Sequence, residues 1–214
     1  MTDRSSRRFF LKEAFRSPYL WAFFIGIVTL TLMRPFLRHE PTPPPVLGQL
    51  PDFALTDTGG RPFGTADLAG RVYVANFIFT RCTSICPRLT AAMALLQKRY
   101  DNEDIAGIRL VSITVDPEYD TPEVLRAYGE ARGVDPERWI LLSGSRESIT
   151  DLVVGGFKTG LGELEEGDGG LIEIAHSGKF VLVDGLGRIR GYFDTDEMGL
   201  DEIFHRSQHV LGEE

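Results

Sequence analysis

Apolar positions along the chain follow two periods. Val72–Phe79, Ile108–Val115 and Trp139–Leu142 are short runs rich in β-branched and aromatic residues. Such runs read as buried strands, the first covered on both faces of a parallel sheet. Leu89, Met93, Leu96 and Tyr100 recur at steps of three and four, which predicts a helix opened by Pro87. Thr121-Pro122-Glu123 starts another helix that Gly133 ends, and Ser145 caps a third with Ile149, Leu152, Val153 and Phe157 on one side. Leu50–Leu55 and Arg61–Phe63 flank Asp57-Thr58-Gly59-Gly60, and Lys179–Val183 and Ile189–Phe193 flank Asp184-Gly185-Leu186-Gly187, so each pair predicts a hairpin. Thr65–Leu68 is a short turn, Gly160–Gly170 an acidic glycine-rich loop, and Met198–Val210 a closing amphipathic helix. Strands alternating with helices and a closing hairpin predict an α/β sandwich of the thioredoxin type.

A different pattern precedes this domain. Ser17–Met33 is uncharged and apolar all round, and its flank extends to Leu37. We read residues 17–37 as a single transmembrane anchor, near the lower length limit for one. Residues 1–16 form a basic tail (Arg4, Arg7, Arg8, Lys12 and Arg16) that stays in the cytoplasm by the positive-inside rule. No small-residue cleavage site follows the apolar run, so the anchor is expected to remain uncleaved. Ser6-Arg7-Arg8-Phe9-Phe10-Leu11-Lys12 fits both an ordinary basic flank and a bacterial twin-arginine export signal, which would carry the domain across already folded. Residues 38–45, with Pro41, Pro43, Pro44 and Pro45, form a stalk, and residues 46–214 the domain, expected on the periplasmic side of a bacterial inner membrane. Residues 1–38 carry a net +5, which leaves −13 for the rest of a chain whose total is −8. That balance argues against nucleic acid and for a cationic partner or a metal ion.

The chain has two cysteines, Cys82 and Cys86, in the turn where the first strand ends and the Pro87 helix begins. A helix N-terminus favours thiolate over thiol there. Two such thiols make a redox pair or part of a soft-metal site. A purely structural disulfide contributes only about 2 kcal/mol across so small a loop. In a regular helix it would also span Cβ atoms roughly 5–6 Å apart, which strains it and makes it reducible. A metal needs a further ligand. His39 lies in the stalk, and His205 and His209 form with Asp201 a stripe that reads as a solvated helix face. His176 stands directly before the strand Lys179–Val183, where a thioredoxin fold brings the chain back beside the cysteine turn. Two thiolates and an imidazole suit Cu(I), and hold Cu(II) when a weak further ligand joins. Zinc would want a fourth ligand or a catalytic water.

Three blocks carry a family resemblance: Phe79-Thr80-Arg81-Cys82-Thr83-Ser84-Ile85-Cys86-Pro87, Val115-Asp116-Pro117-Glu118-Tyr119-Asp120-Thr121-Pro122, and His176-Ser177 followed by Phe180–Asp184. Together they resemble the Sco/SenC family of membrane-anchored, thioredoxin-like copper proteins over roughly Pro51–Phe193. The resemblance implies copper held by Cys82, Cys86 and His176. It also implies a copper donor protein and delivery to cytochrome c oxidase, at the copper centre of subunit II. It equally allows a thiol–disulfide oxidoreductase that uses Cys82 and Cys86 to keep an acceptor's cysteines reduced. Many members have Asp before the histidine where this chain has Ala175, and no proline precedes the last hairpin as the cis-proline does in thioredoxins. Asp116 is either an electrostatic neighbour of the cysteines or simply the start of the Asp-Pro turn. A thiol peroxidase is disfavoured, because Ala75 and Phe79 stand where the peroxiredoxin signature needs Pro and Thr.

Overall fold

The computed structural model describes residues 18–37, 44–158 and 178–213. The chain divides into two units, residues 1–42 and 43–214. In the first, helix α1 spans Pro18–Leu37, and Tyr19, Trp21, Phe23, Phe24, Ile25 and Leu30 on it are exposed. Among the described residues no helix is long and apolar enough to cross a membrane. The anchor predicted over residues 17–37 is thus not confirmed among them.

The second unit is built on one mixed sheet. Its strands are β1 (Gly48–Gln49), β2 (Ala54–Asp57), β3 (Pro62–Gly64), β4 (Val72–Ile78), β5 (Ile108–Thr114), β6 (Trp139–Ser143), β7 (Phe180–Val183) and β8 (Arg188–Phe193), in the order β1-β8-β7-β4-β5-β6-β2-β3. The pairs β4–β5 and β5–β6 are parallel, and β4–β7 is antiparallel. The helices are α2 (Thr65–Leu68), α3 (Cys86–Asn102), α4 (Pro122–Glu130), α5 (Arg146–Thr150) and α6 (Glu197–Leu211). The two predicted caps are present: Thr121 Oγ1 accepts from the Val124 amide, and Ser145 Oγ from that of Ser148. Gly133 takes a φ of 70° where the chain leaves the α4 segment, a conformation that favours glycine.

Every residue of β4 is buried, as its unbroken apolar run requires. Val72, Val74 and Ile78 face Leu89, Met93, Leu96 and Tyr100 of α3 and Ile203, Phe204 and Val210 of α6. Tyr73, Ala75 and Phe77 face Leu152, Val153 and Phe157, with the Phe77 and Phe157 rings edge to face at 5.1 Å. Those last residues lie on the predicted third helix, but after Thr150 it widens into a π-helical stretch, Asp151–Phe157, that ends at Lys158 with a φ of 48°. Strand β1 was not predicted, since two residues have no period to show. Pro44 is buried, and its carbonyl accepts from Arg190 Nε at 2.9 Å, so the domain holds the chain from this residue on. The predicted loop Gly160–Gly170 lies outside the described residues.

Candidate metal centre

Strand β4 delivers the chain to the site, and α3 carries it away. Between them the turn of residues 79–85 folds back, with the Cys82 amide donating to the Phe79 carbonyl at 3.2 Å. No side-chain oxygen caps α3; instead the Cys86 amide points at Cys82 Sγ, 3.4 Å away. The sulfur takes the place where a helix N-terminus usually receives a Ser, Asp or Asn oxygen. Ser84 Oγ lies 3.5 Å from the same sulfur.

These contacts split the acidities of the two thiols. Burial opposes ionisation of Cys82. The Ser84 hydroxyl, the amides of Cys86 and Ser84 and the Cys86 thiol outweigh it and bring the pKa of Cys82 down to about 6. Burial dominates at Cys86, and the neighbouring Cys82 sulfur adds to it, so this thiol is pushed up to about 12 despite the Phe79 amide. Cys86 is wholly buried and Cys82 almost so.

The turn is fixed from below by a carboxylate. Asp120, wholly buried, accepts from the Thr80 amide (3.0 Å), the Thr80 hydroxyl (2.5 Å) and the Thr114 hydroxyl (2.5 Å). Its own carbonyl accepts from Ser143 Oγ at 2.9 Å. One residue thus ties the cysteine turn to the end of β5 through its side chain and to the end of β6 through its carbonyl. Asp116 pairs instead with Arg81, whose guanidinium reaches it at 2.5 Å and lies 4.4 Å from the centre of the Tyr119 ring. Asp116 is therefore a neighbour of the turn, acting through the residue before Cys82. Asp120 lies in one of the quoted blocks, yet nothing in the sequence singled it out, because its Thr80 partner is 40 positions away.

The structure brings Cys82 and Cys86 together; His176 lies outside the described residues. Among the described residues no three Cys, His, Asp or Glu side chains form a metal-binding group. His205 and His209 make none: Asp201 is held by Arg99 at 2.8 Å, and His205 Nε2 stands 3.6 Å from it on the exposed face of α6. The donor set that is present suits a soft ion, since two sulfurs in contact, one readily ionised, match Cu(I) better than a hard oxygen-seeking cation.

Residues 45–212 match the SCO1/SenC family. The chain belongs to the SCO1/SenC family. A SCO1 homologue of Bacillus subtilis is 30% identical over 161 residues, which cover 74% of this chain and 81% of that protein. The structure of BsSco, described as a Sco-family cytochrome c oxidase assembly protein with a disulfide switch, superposes with a TM-score of 0.68 at 26% identity, covering 82% of this chain and all of that one. A copper-bound ScoI of Bradyrhizobium japonicum shares the fold with a TM-score of 0.59 at 22% identity, over 77% of this chain and all of that one. The thioredoxin-like reading of this SCO1/SenC chain is thereby established for the domain.

Proposed function

We propose that this protein carries copper as cargo on Cys82, Cys86 and His176 and passes it to the copper centre of cytochrome c oxidase subunit II. The observation that carries the reading is the cysteine turn itself. Two sulfurs meet at a helix N-terminus in a family whose members include a copper-bound protein and an oxidase assembly protein. Both sulfurs must be thiolates to hold the ion, and binding it displaces the proton from Cys86. His176 completes a soft three-ligand set in this reading. Helix α1 serves as the membrane anchor, with residues 38–43 as a stalk and the domain, from Pro44 on, on the periplasmic side of a bacterial inner membrane. The exposed apolar side chains of α1 support that arrangement.

The acidity split favours a second reading, a thiol–disulfide exchanger. Cys82 thiolate would attack an acceptor disulfide and form a mixed disulfide. Cys86 would then lose its proton and displace the second acceptor sulfur. The acceptor gains two electrons from the pair and two protons, one from Cys86 and one from solvent, and a Cys82–Cys86 disulfide remains. Copper loading of the reduced full-length chain decides between the two. Metal analysis should give about one copper per chain, abolished in Cys82→Ser and Cys86→Ser and strongly weakened in His176→Ala. Tight stoichiometric binding by the chain with its Cys82–Cys86 disulfide verified by mass would overturn the three-ligand reading. Unchanged binding by His176→Ala would remove the histidine from it.

A further inference from the structure

Helix α3 has a second apolar face. Its core face is Leu89, Met93, Leu96 and Tyr100. On the opposite side Pro87, Ala91 and Leu95 follow one another at intervals of four and are exposed, Leu95 to 60%. From Leu89 to Gln97 the helix carries no charge, so this exposed face lacks the solvated residues that an ordinary surface helix presents. With Thr90, Lys98 and Arg132 these residues line an open groove of about 500 Å³.

Three observations indicate what covers it. The groove starts at Pro87, the residue after Cys86, so an occupant lies against the thiol site. Its floor is bonded to that site: Arg132 stacks 3.5 Å from the centre of the Tyr128 ring, Tyr128 Oη meets Thr90 Oγ1 at 2.7 Å, and Thr90 Oγ1 donates to the Cys86 carbonyl at 2.8 Å. Finally, its charged lining among the described residues is Lys98 and Arg132, both cationic, on a domain (residues 46–214) with a net charge of −12. By contrast, the groove between the β2–β3 hairpin and α4 mixes Asp57 and Glu130 with Arg61 and Arg126. An apolar floor with a cationic rim complements an apolar side chain flanked by carboxylates.

We propose that this groove is the docking surface for the copper-receiving protein, which seats an apolar side chain against Leu95 and Ala91 and carboxylates against Lys98 and Arg132. The proposal rests on the copper-carrier reading above. Its test separates the two. The probe is the soluble copper domain of the same organism's cytochrome c oxidase subunit II, metal-free and reduced. Binding to the full-length chain in detergent is measured by calorimetry with the chain both metal-free and copper-loaded, so a failure to load counts against the carrier reading alone. The wild-type chain should bind, and binding should weaken as salt rises. Leu95→Asp and Lys98→Glu should each weaken it about tenfold or more. Copper stoichiometry in both variants should stay that of the wild type, which also reports that they fold. Equal affinity in wild type and variants, or no binding by a wild-type chain that loads copper, overturns the proposal. A concentration-dependent dimer of the chain that Leu95→Asp abolishes would assign the groove to a second copy and overturn it equally.

Discussion

Three turns of this domain hang on a buried carboxylate, and one of them is built differently from the other two. In the β7–β8 hairpin, Asp184 accepts from the amides of Leu186 and Arg188 and pairs with the Arg188 and Arg190 guanidinium groups. Arg190, itself buried, extends the network to Glu213 and the Pro44 carbonyl, fastening both ends of the domain. The β2–β3 hairpin repeats the local part: Asp57 accepts from the amides of Gly59 and Arg61 and from the Arg61 side chain. Asp120, under the cysteine turn, has only neutral hydrogen-bond donors among the described residues, two hydroxyls and an amide. A hairpin can spend a carboxylate on a cation to fix its ends. Beside the two sulfurs proposed to bind a cation, a neutral-donor clamp holds the turn without a guanidinium on the clamping carboxylate.

The largest expected effect is at the ionic turn. Among the described residues, Asp184→Asn leaves the buried Arg190 with only Glu213 as an anionic partner and should cost about 3–5 kcal/mol in urea unfolding. Burial works against the Asp184 carboxylate, but the Arg188 amide and the Arg188 and Arg190 side chains outweigh it and hold its pKa below the ordinary range. That stabilisation is complete above the unfolded carboxylate value of about 4 and is lost as pH falls through the lower folded value. The wild type should therefore lose stability in acid more steeply than Asp184→Asn, and parallel acid profiles would refute the assignment. Thiol reactivity should be unchanged in this variant.

Asp120→Asn should cost less, about 2 kcal/mol, because no cation is stranded, although an amide cannot accept all three bonds. Here the rate of Cys82 alkylation should change, since the clamp fixes the turn that places it. An alkylation rate equal to that of the wild type, at any stability, would erase the distinction between the two carboxylates. Asp57→Asn comes next, at about 1 kcal/mol, because its Arg61 partner is largely exposed. Thermal unfolding reads that difference, and a loss as large as that of Asp184→Asn would mean the shared local motif, not burial, sets the energy.

The same contrast explains what could be read in the chain. The Asp57 and Asp184 hairpins were legible because their turn residues lie within a few positions of one another, and turn chemistry is local. Strands β4, β5 and β6 and the core face of α3 were legible because burial imposes a period. The Asp120 clamp was not, since it joins residues 40 positions apart and a threonine looks the same whether or not it meets a carboxylate. The π-helical widening after Thr150 leaves the apolar spacing of Leu152, Val153 and Phe157 intact, so period alone cannot reveal it. At the site, spacing and Pro87 placed both cysteines in the turn that leads into a helix, and the helix begins at Cys86. The unequal acidities came only with the Cys86 amide and Ser84 converging on one sulfur.

The smallest expected effect tests that convergence. With the reduced, metal-free chain, iodoacetamide should modify Cys82 increasingly as pH rises through about 6, while Cys86, whose pKa is pushed to about 12 chiefly by burial, should stay unmodified near neutral pH. Peptide mapping after timed alkylation measures both at once. Ser84→Ala removes one donor to the Cys82 sulfur and leaves the Cys86 amide in place. Its midpoint should therefore rise by only a fraction of a pH unit to about one unit, the share of a single hydrogen bond among several. The sign follows from the chemistry: the hydroxyl stabilises the thiolate, and its loss makes the proton harder to remove. A midpoint that moves to the ordinary cysteine range in Ser84→Ala would place the whole effect on the hydroxyl and deny the helix end any part in it. A midpoint that does not move would leave the Cys86 amide, which Cys82 caps, as the group that sets its acidity.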